Sequence, residues 1–179
     1  MQRYVALLRG INLGRRRLPM SRLKALFEEL GLGGVETFIA SGNVIFSSRA
    51  GDTASLESRI AGHLAASLGY EVDTFVRTLG EIASIARGRV FEEDGREGIT
   101  IHVGFLQKGL DPGIARRLAA VRTGEDEILV KGTEYYWLCR VRTPDSKFWA
   151  LPEVRALRLP TSTMRNISSI RKLAARHAG

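Results

Sequence analysis

The chain has 179 residues, 44% of them hydrophobic, and its 27 Lys and Arg outnumber 19 Asp and Glu to give a net charge of +8. That length suits one large domain or two small ones, and the apolar content suits a folded rather than a disordered chain. No stretch approaches the roughly 18 unbroken apolar residues of a membrane span, and a single cysteine, Cys139, makes an internal disulfide impossible. A pI near 10.2 favours an anionic partner, because a positive surface gathers phosphate-bearing ligands.

Residues Arg3–Arg9 read as a strand built on Val5, Leu7 and Leu8. They open the sequence as a strand rather than as a signal peptide, so a cytoplasmic protein is expected. A polar loop follows, and Leu18-Pro19-Met20-Ser21 leads into a helix with Leu23, Leu26, Phe27 and Leu30 at helical spacing. Gly31 to Gly34 stop that pattern. Val35–Ala40 and Val44–Phe46 flank Ser41-Gly42-Asn43 and predict a hairpin. Asp52 or Thr53 is placed to cap a second helix carrying Leu56, Ile60, Leu64 and Leu68. Gly69 ends it, and Val72–Val76 is a fourth strand.

The order strand, helix, strand, strand, helix, strand is that of a ferredoxin-like split βαβ unit. The second half nearly repeats it. A short connector helix near Leu79–Arg87 precedes a strand at Ile99–Leu106 and a helix at Pro112–Val121. Glu127–Val130 and Tyr135–Leu138 then form a hairpin across Lys131-Gly132-Thr133-Glu134. Helical patterns are expected around Ser146–Leu157 and Met164–Ala178, with no final strand evident. The predicted fold is therefore α+β: a ferredoxin-like half over residues 1–77, a connector over 78–98, and an incomplete second half over 99–179 with extra C-terminal helices.

In a split βαβ unit the loop after the first strand and the hairpin joining the next two emerge at one end of the sheet. Arg9-Gly10-Ile11-Asn12-Leu13-Gly14 and Ser41-Gly42-Asn43 are thus expected to be neighbours, with Gly69-Tyr70-Glu71 near them. In the second half, Gln107-Lys108-Gly109 should meet Lys131-Gly132-Thr133. Glycines let backbone N–H groups approach an anion, and Arg9, Asn12, Ser41 and Asn43 are the candidate ligand contacts. The same residues also suit plain turns, with Asn12 bonding its own loop.

These segments carry a family resemblance. Tyr4–Gly14, Leu18-Pro19-Met20 and Ile39-Ala40-Ser41-Gly42-Asn43-Val44-Ile45-Phe46 closely resemble the bacterial family of unknown function numbered 1697. The resemblance is specific in the first half and looser to the C-terminus. It implies a two-part α+β fold of ferredoxin-like halves and no established activity. This chain carries Arg15-Arg16-Arg17 where relatives usually hold a Gly and a Lys-Asn pair. It keeps Arg165 and Asn166, which join the candidate contacts, but has Ile167 where relatives carry Trp.

Other chemistries lack support in the sequence. His63, His102 and His177 have no ligand-like spacing with Cys139, so neither a metal nor a cofactor is expected. There is no Walker or Rossmann glycine pattern and no evident carboxylate pair. Ser146-Lys147 are adjacent and do not readily share a proton, so Asp145 or Ser146 is expected to cap a turn. Tyr135, Tyr136 and Trp137 are expected in core packing rather than as a base-stacking face. The leading expectation is a binding module for an anionic ligand, nucleic acid or a small molecule, with no membrane. The alternatives are an enzyme on a phosphorylated or carboxylated metabolite between the halves, or a ligand-free homo-oligomeric scaffold.

Overall fold

The computed structural model describes residues 1–38 and 42–177. Two compact units divide the chain: Met1–Ile85 with Leu173–Gly179, and Ala86–Lys172. Among the described residues no helix is long and apolar enough to cross a membrane.

In the first unit, β1 (Gln2–Arg9) is followed by α1 (Met20–Glu29), β2 (Gly33–Phe38), β3 (Asn43–Ser48), α2 (Thr53–Leu68), β4 (Asp73–Thr78) and α3 (Leu79–Arg87). The sheet is antiparallel throughout, in the order β2-β3-β1-β4, and is pinned by Leu7 opposite Asn43 and by Leu7 opposite Phe75. Local chemistry sets the helix ends. Pro19 precedes α1 and its carbonyl accepts from Arg22 and Leu23 at 3.0 and 3.1 Å. Asp52 caps α2 by accepting from the N–H groups of Ala54 and Ser55. Alternation along β1 sends Tyr4, Ala6 and Leu8 into a core with Leu23, Leu26 and Phe27 of α1 and Leu56, Ile60 and Leu64 of α2. The intervening Val5 and Leu7 are fully buried as well. That double burial explains why β1 reads as an unbroken apolar run.

The second unit holds β5 (Thr100–Phe105), α4 (Pro112–Ala120), β6 (Asp126–Lys131), β7 (Glu134–Cys139), the short α5 (Pro152–Arg155) and β8 (Thr163–Asn166). The following α6 (Ile167–His177) carries the chain on. This sheet is also four-stranded and antiparallel, in the order β6-β7-β5-β8. The expected missing strand is therefore present: β8 pairs with β5 from His102 opposite Asn166 to Phe105 opposite Thr163. Its two buried positions, Thr163 and Arg165, are polar, so the hydrophobic alternation that marks a strand is lost. The helix expected over Met164–Ala178 starts instead at Ile167, because Asn166 Oδ1 accepts from Ser168 N at 2.9 Å and ends the strand as a cap. The span Ser146–Leu157 is likewise not one helix. It breaks into a 3₁₀ turn, Phe148–Ala150, and the single turn of α5.

Tyr135, Trp137 and Cys139 pack with Leu118, Phe148, Val154 and Leu157 in the core of this unit. Tyr136 and Leu138, on the other face of β7, are buried too. The tyrosine ring of Tyr135 lies over Gly104, its partner in the ladder, so closely that a Cβ at Gly104 would fall inside the ring's van der Waals envelope. A buried polar knot closes one edge: Asp126 accepts from Trp137 Nε1 at 2.8 Å, Ser146 Oγ at 2.7 Å and Thr123 Oγ1 at 2.9 Å.

Candidate functional site

The end of β1 is where the sequence placed its candidates, and the fold brings two of the loops together there. Leu8 N donates to the Gly42 carbonyl at 2.8 Å, fastening the hairpin to the strand just before the loop begins. Gly42 has φ +83°, and a Cβ there would meet Leu8 O at 3.1 Å and Ile11 Cδ1 at 3.1 Å, so the close approach requires glycine. Ser41 lies outside the described residues. Tyr70, from the turn between α2 and β4, joins the same rim: its hydroxyl donates to the Ile11 carbonyl at 3.1 Å.

The loop from Gly10 to Leu18 is held by its own side chains. Asn12 Oδ1 accepts from Leu18 N at 2.9 Å. Arg16 Nη1 donates to the Gly10 carbonyl at 3.3 Å, and its guanidinium sits 4.0 Å over the Tyr70 ring. Arg17 Nη1 donates to the carbonyls of Gly14 and Arg16, both at 2.9 Å. Asn43 is 2% exposed and its Nδ2 donates to the Phe38 carbonyl at 3.1 Å. Asn12 and Asn43 thus shape the turns from within. What faces outward is cationic: Arg9, Arg15, Arg16 and Arg17 are all exposed, with Leu13 at 63% exposure among them. Arg9 has Asp73 opposite it at 3.9 Å, with both side chains half exposed, a geometry worth well under 1 kcal/mol.

Arg165 and Asn166 belong to the second unit. Arg165 is 9% exposed and donates to Thr163 Oγ1 at 2.7 Å and to the Met164 carbonyl at 3.0 Å. Burial pulls its guanidinium down to about 10, which leaves it charged at neutral pH. Asn166 is occupied in the α6 cap. At this unit's equivalent rim Leu106 N donates to the Thr133 carbonyl at 2.9 Å, so the loops at Gln107–Gly109 and Lys131–Thr133 do meet.

The remaining reactive residue types of the sequence are engaged in structure. Ser146 donates to Asp126 and accepts from Phe148 N at 3.2 Å, so its oxygen is spent on structure while Lys147 is exposed. Burial raises the pKa of the Cys139 thiol, and Sγ donates to the Val141 carbonyl at 3.1 Å, which makes it a poor nucleophile. Among the described residues no group of three His, Cys, Asp or Glu is placed to hold a metal ion. Three cavities of about 350–430 Å³ open at the opposite end of the first sheet, around Met1, and none of the three is lined by a rim residue.

The family described as protein of unknown function (DUF1697) matches residues 1–136. The chain belongs to that family. A search of the curated proteins finds no match. Among solved structures, the conserved bacterial protein SP0830 from Streptococcus pneumoniae is similar, with a TM-score of 0.77 and 21% identity. The match covers 100% of this chain and 99% of that one, and it shows a shared α+β fold. Family membership carries no activity with it.

Proposed function

We propose that the protein is a binding module for an anionic polymer, nucleic acid, and that the rim at the end of β1 is its contact surface. The observation that carries this reading is the set of exposed arginines, Arg9, Arg15, Arg16 and Arg17, on a rim whose turns are satisfied from within. Each guanidinium has five N–H donors, so the one or two spent on loop carbonyls leave others free for phosphate oxygens. The net charge of +8 draws such a ligand in.

In this reading Arg9 and the arginines of the loop contact phosphates, Asn12 and Asn43 hold the loops in place, and Ser41 is a further contact. Arg165 and Asn166 order the start of α6 in the second unit. The strand orders β2-β3-β1-β4 and β6-β7-β5-β8 support taking both units as ferredoxin-like split βαβ folds. A cytoplasmic location is part of this reading.

The test is retention of a mixed RNA and DNA pool across a salt series, for the native chain and an Arg15→Gln/Arg16→Gln/Arg17→Gln variant. Affinity should fall steeply with salt, and the variant should lower the log–log slope by about two to three. Folded protein that retains nothing at low salt would remove the reading.

A further inference from the structure

One cavity of the first unit stands apart from the rim and its arginines. Its volume is about 350 Å³, and Arg3, Leu79, Gly80, Ala83, Ala174 and His177 line it. It exists because small residues recur at helical spacing: Gly80 and Ala83 on α3, and Ala174 three residues before His177 on α6. A Cβ at Gly80 would meet only Thr78 Oγ1, at 3.8 Å.

His177 is the unusual member of this wall. It is 9% exposed, and its Nε2 is shielded from solvent with no hydrogen-bond partner. Buried polar atoms nearly always find partners, and one left alone costs free energy that a bound group can restore. Burial holds the imidazole below its ordinary pKa, so it is neutral, and the nearby charges partly cancel. Those charges are Arg3 from β1, Glu36 from β2 and Arg176 from α6 itself, with Met1 also lining the cavity. The lining residues of α3 carry none. Arg3 is shared with Glu36 at 3.5 Å, and Arg176 lies 5.5 Å over the ring of Phe38, which stands T-shaped to the His177 ring with centroids 6.3 Å apart. The field is therefore net positive, and Met1 and Gln2 complete a wall that is part apolar and part polar.

We propose that this cavity binds a small apolar monocarboxylate. Its body lies against Leu79, Ala83 and Ala174, and its carboxylate accepts from His177 and neighbours Arg3. A carboxylate suits the net positive side of the cavity, and an apolar body suits Leu79, Ala83 and Ala174. The ring of His177 already forms part of the wall, so a turn about its Cβ–Cγ bond presents a nitrogen to the guest. On binding, the imidazole takes a proton from water and donates it in the new hydrogen bond, so the site tightens as pH falls.

The probe is benzoate, titrated into the ¹⁵N-labelled full chain at about pH 6 and about pH 8. Saturable shifts are expected at the amides of Gly80, Ala83 and Ala174, with affinity about tenfold greater at the lower pH. The His177 pKa should rise on saturation. Ala83→Leu should fill the space and remove the shifts. His177→Gln should keep weak binding and lose its pH dependence, and it carries the test if the leucine variant does not fold. No saturable shift at those amides up to about 20 mM, well past a millimolar dissociation constant, overturns the proposal. So does equal binding of benzyl alcohol, which has the body without the charge.

Discussion

The two units use the same plan and finish it differently. In each, the strand beside the hairpin makes one further backbone bond to its turn beyond the ladder, Leu8 N to the Gly42 carbonyl and Leu106 N to the Thr133 carbonyl. Counting back from those bonds makes Ala6 the counterpart of Gly104, and Val44 that of Tyr135. The first unit fills that spot with an alanine and a valine; the second uses a bare glycine under a tyrosine ring. The loops diverge more. Between β1 and α1 the chain builds an arginine-bearing loop from Gly10 to Pro19, whereas Leu106 to Asp111 is a short link with Lys108. A shared sheet constrains the ladder and leaves the loops free to acquire function.

The sharpest way to break that equivalence is Gly104→Ala. It forces the Tyr135 ring off its seat and should destabilise by about 3 kcal/mol, the upper range for overpacking a core. Adding Tyr135→Val recreates the pairing of the first unit, so the double variant should be more stable than the sum of the singles by at least about 1 kcal/mol. Urea unfolding of the four proteins measures this, and strict additivity would deny the equivalence.

Next in size is Asp126→Ala, which takes the acceptor from Trp137 Nε1, Ser146 Oγ and Thr123 Oγ1 at once and leaves the buried indole N–H without a partner. A loss of about 2–3 kcal/mol is expected, with a change in tryptophan emission that marks the site of damage.

Acid should weaken both units through one histidine each. Burial lowers the pKa of His102, stacked 4.9 Å from the Trp137 ring, and of His177. A base with a lowered folded pKa stabilises the fold above its unfolded value near 6.5 and loses that contribution as pH falls. The urea midpoint should therefore drop between about pH 7 and pH 5, and His102→Gln should flatten its share of the slope. Further loss below about pH 4.5 belongs to Glu93 and Asp94, whose pKa values Arg140 and Arg171 lower. A midpoint that holds steady down to pH 5 would contradict the histidine assignment.

The smallest effect should come from Asn12→Ala, at about 1 kcal/mol, because Leu18 N can turn to water when its partner is lost. Its value lies in a second readout: amide exchange should quicken across the loop from Gly10 to Leu18 and leave the Gln107–Asp111 link unchanged.

Much of the first sheet was legible because its strands are apolar and its turns carry glycine. Asp52 at a helix start and Gly42 in a hairpin mean the same in sequence and structure. The strand β8 was illegible for the opposite reason, since Thr163 and Arg165 face inward and Met164 outward. The rim was placed by topology alone. That Asn12 bonds its own loop was one of the two readings its residue type allowed, and Leu18 N supplies the bond; that Asn43 turns inward depends on the direction of the Phe38 carbonyl, which no residue type encodes. The Asp126 knot joins positions from Thr123 to Ser146 through a hairpin, a proximity that local patterns do not reveal.

The grouping of Leu173–Gly179 with Met1–Ile85 has a consequence for how the protein is made. A ribosome that has released the first eighty-five residues has not yet supplied Arg176 and His177, which meet Phe38. The earliest part of the nascent chain must therefore wait, with that flank open, until translation has delivered the whole of the unit that intervenes.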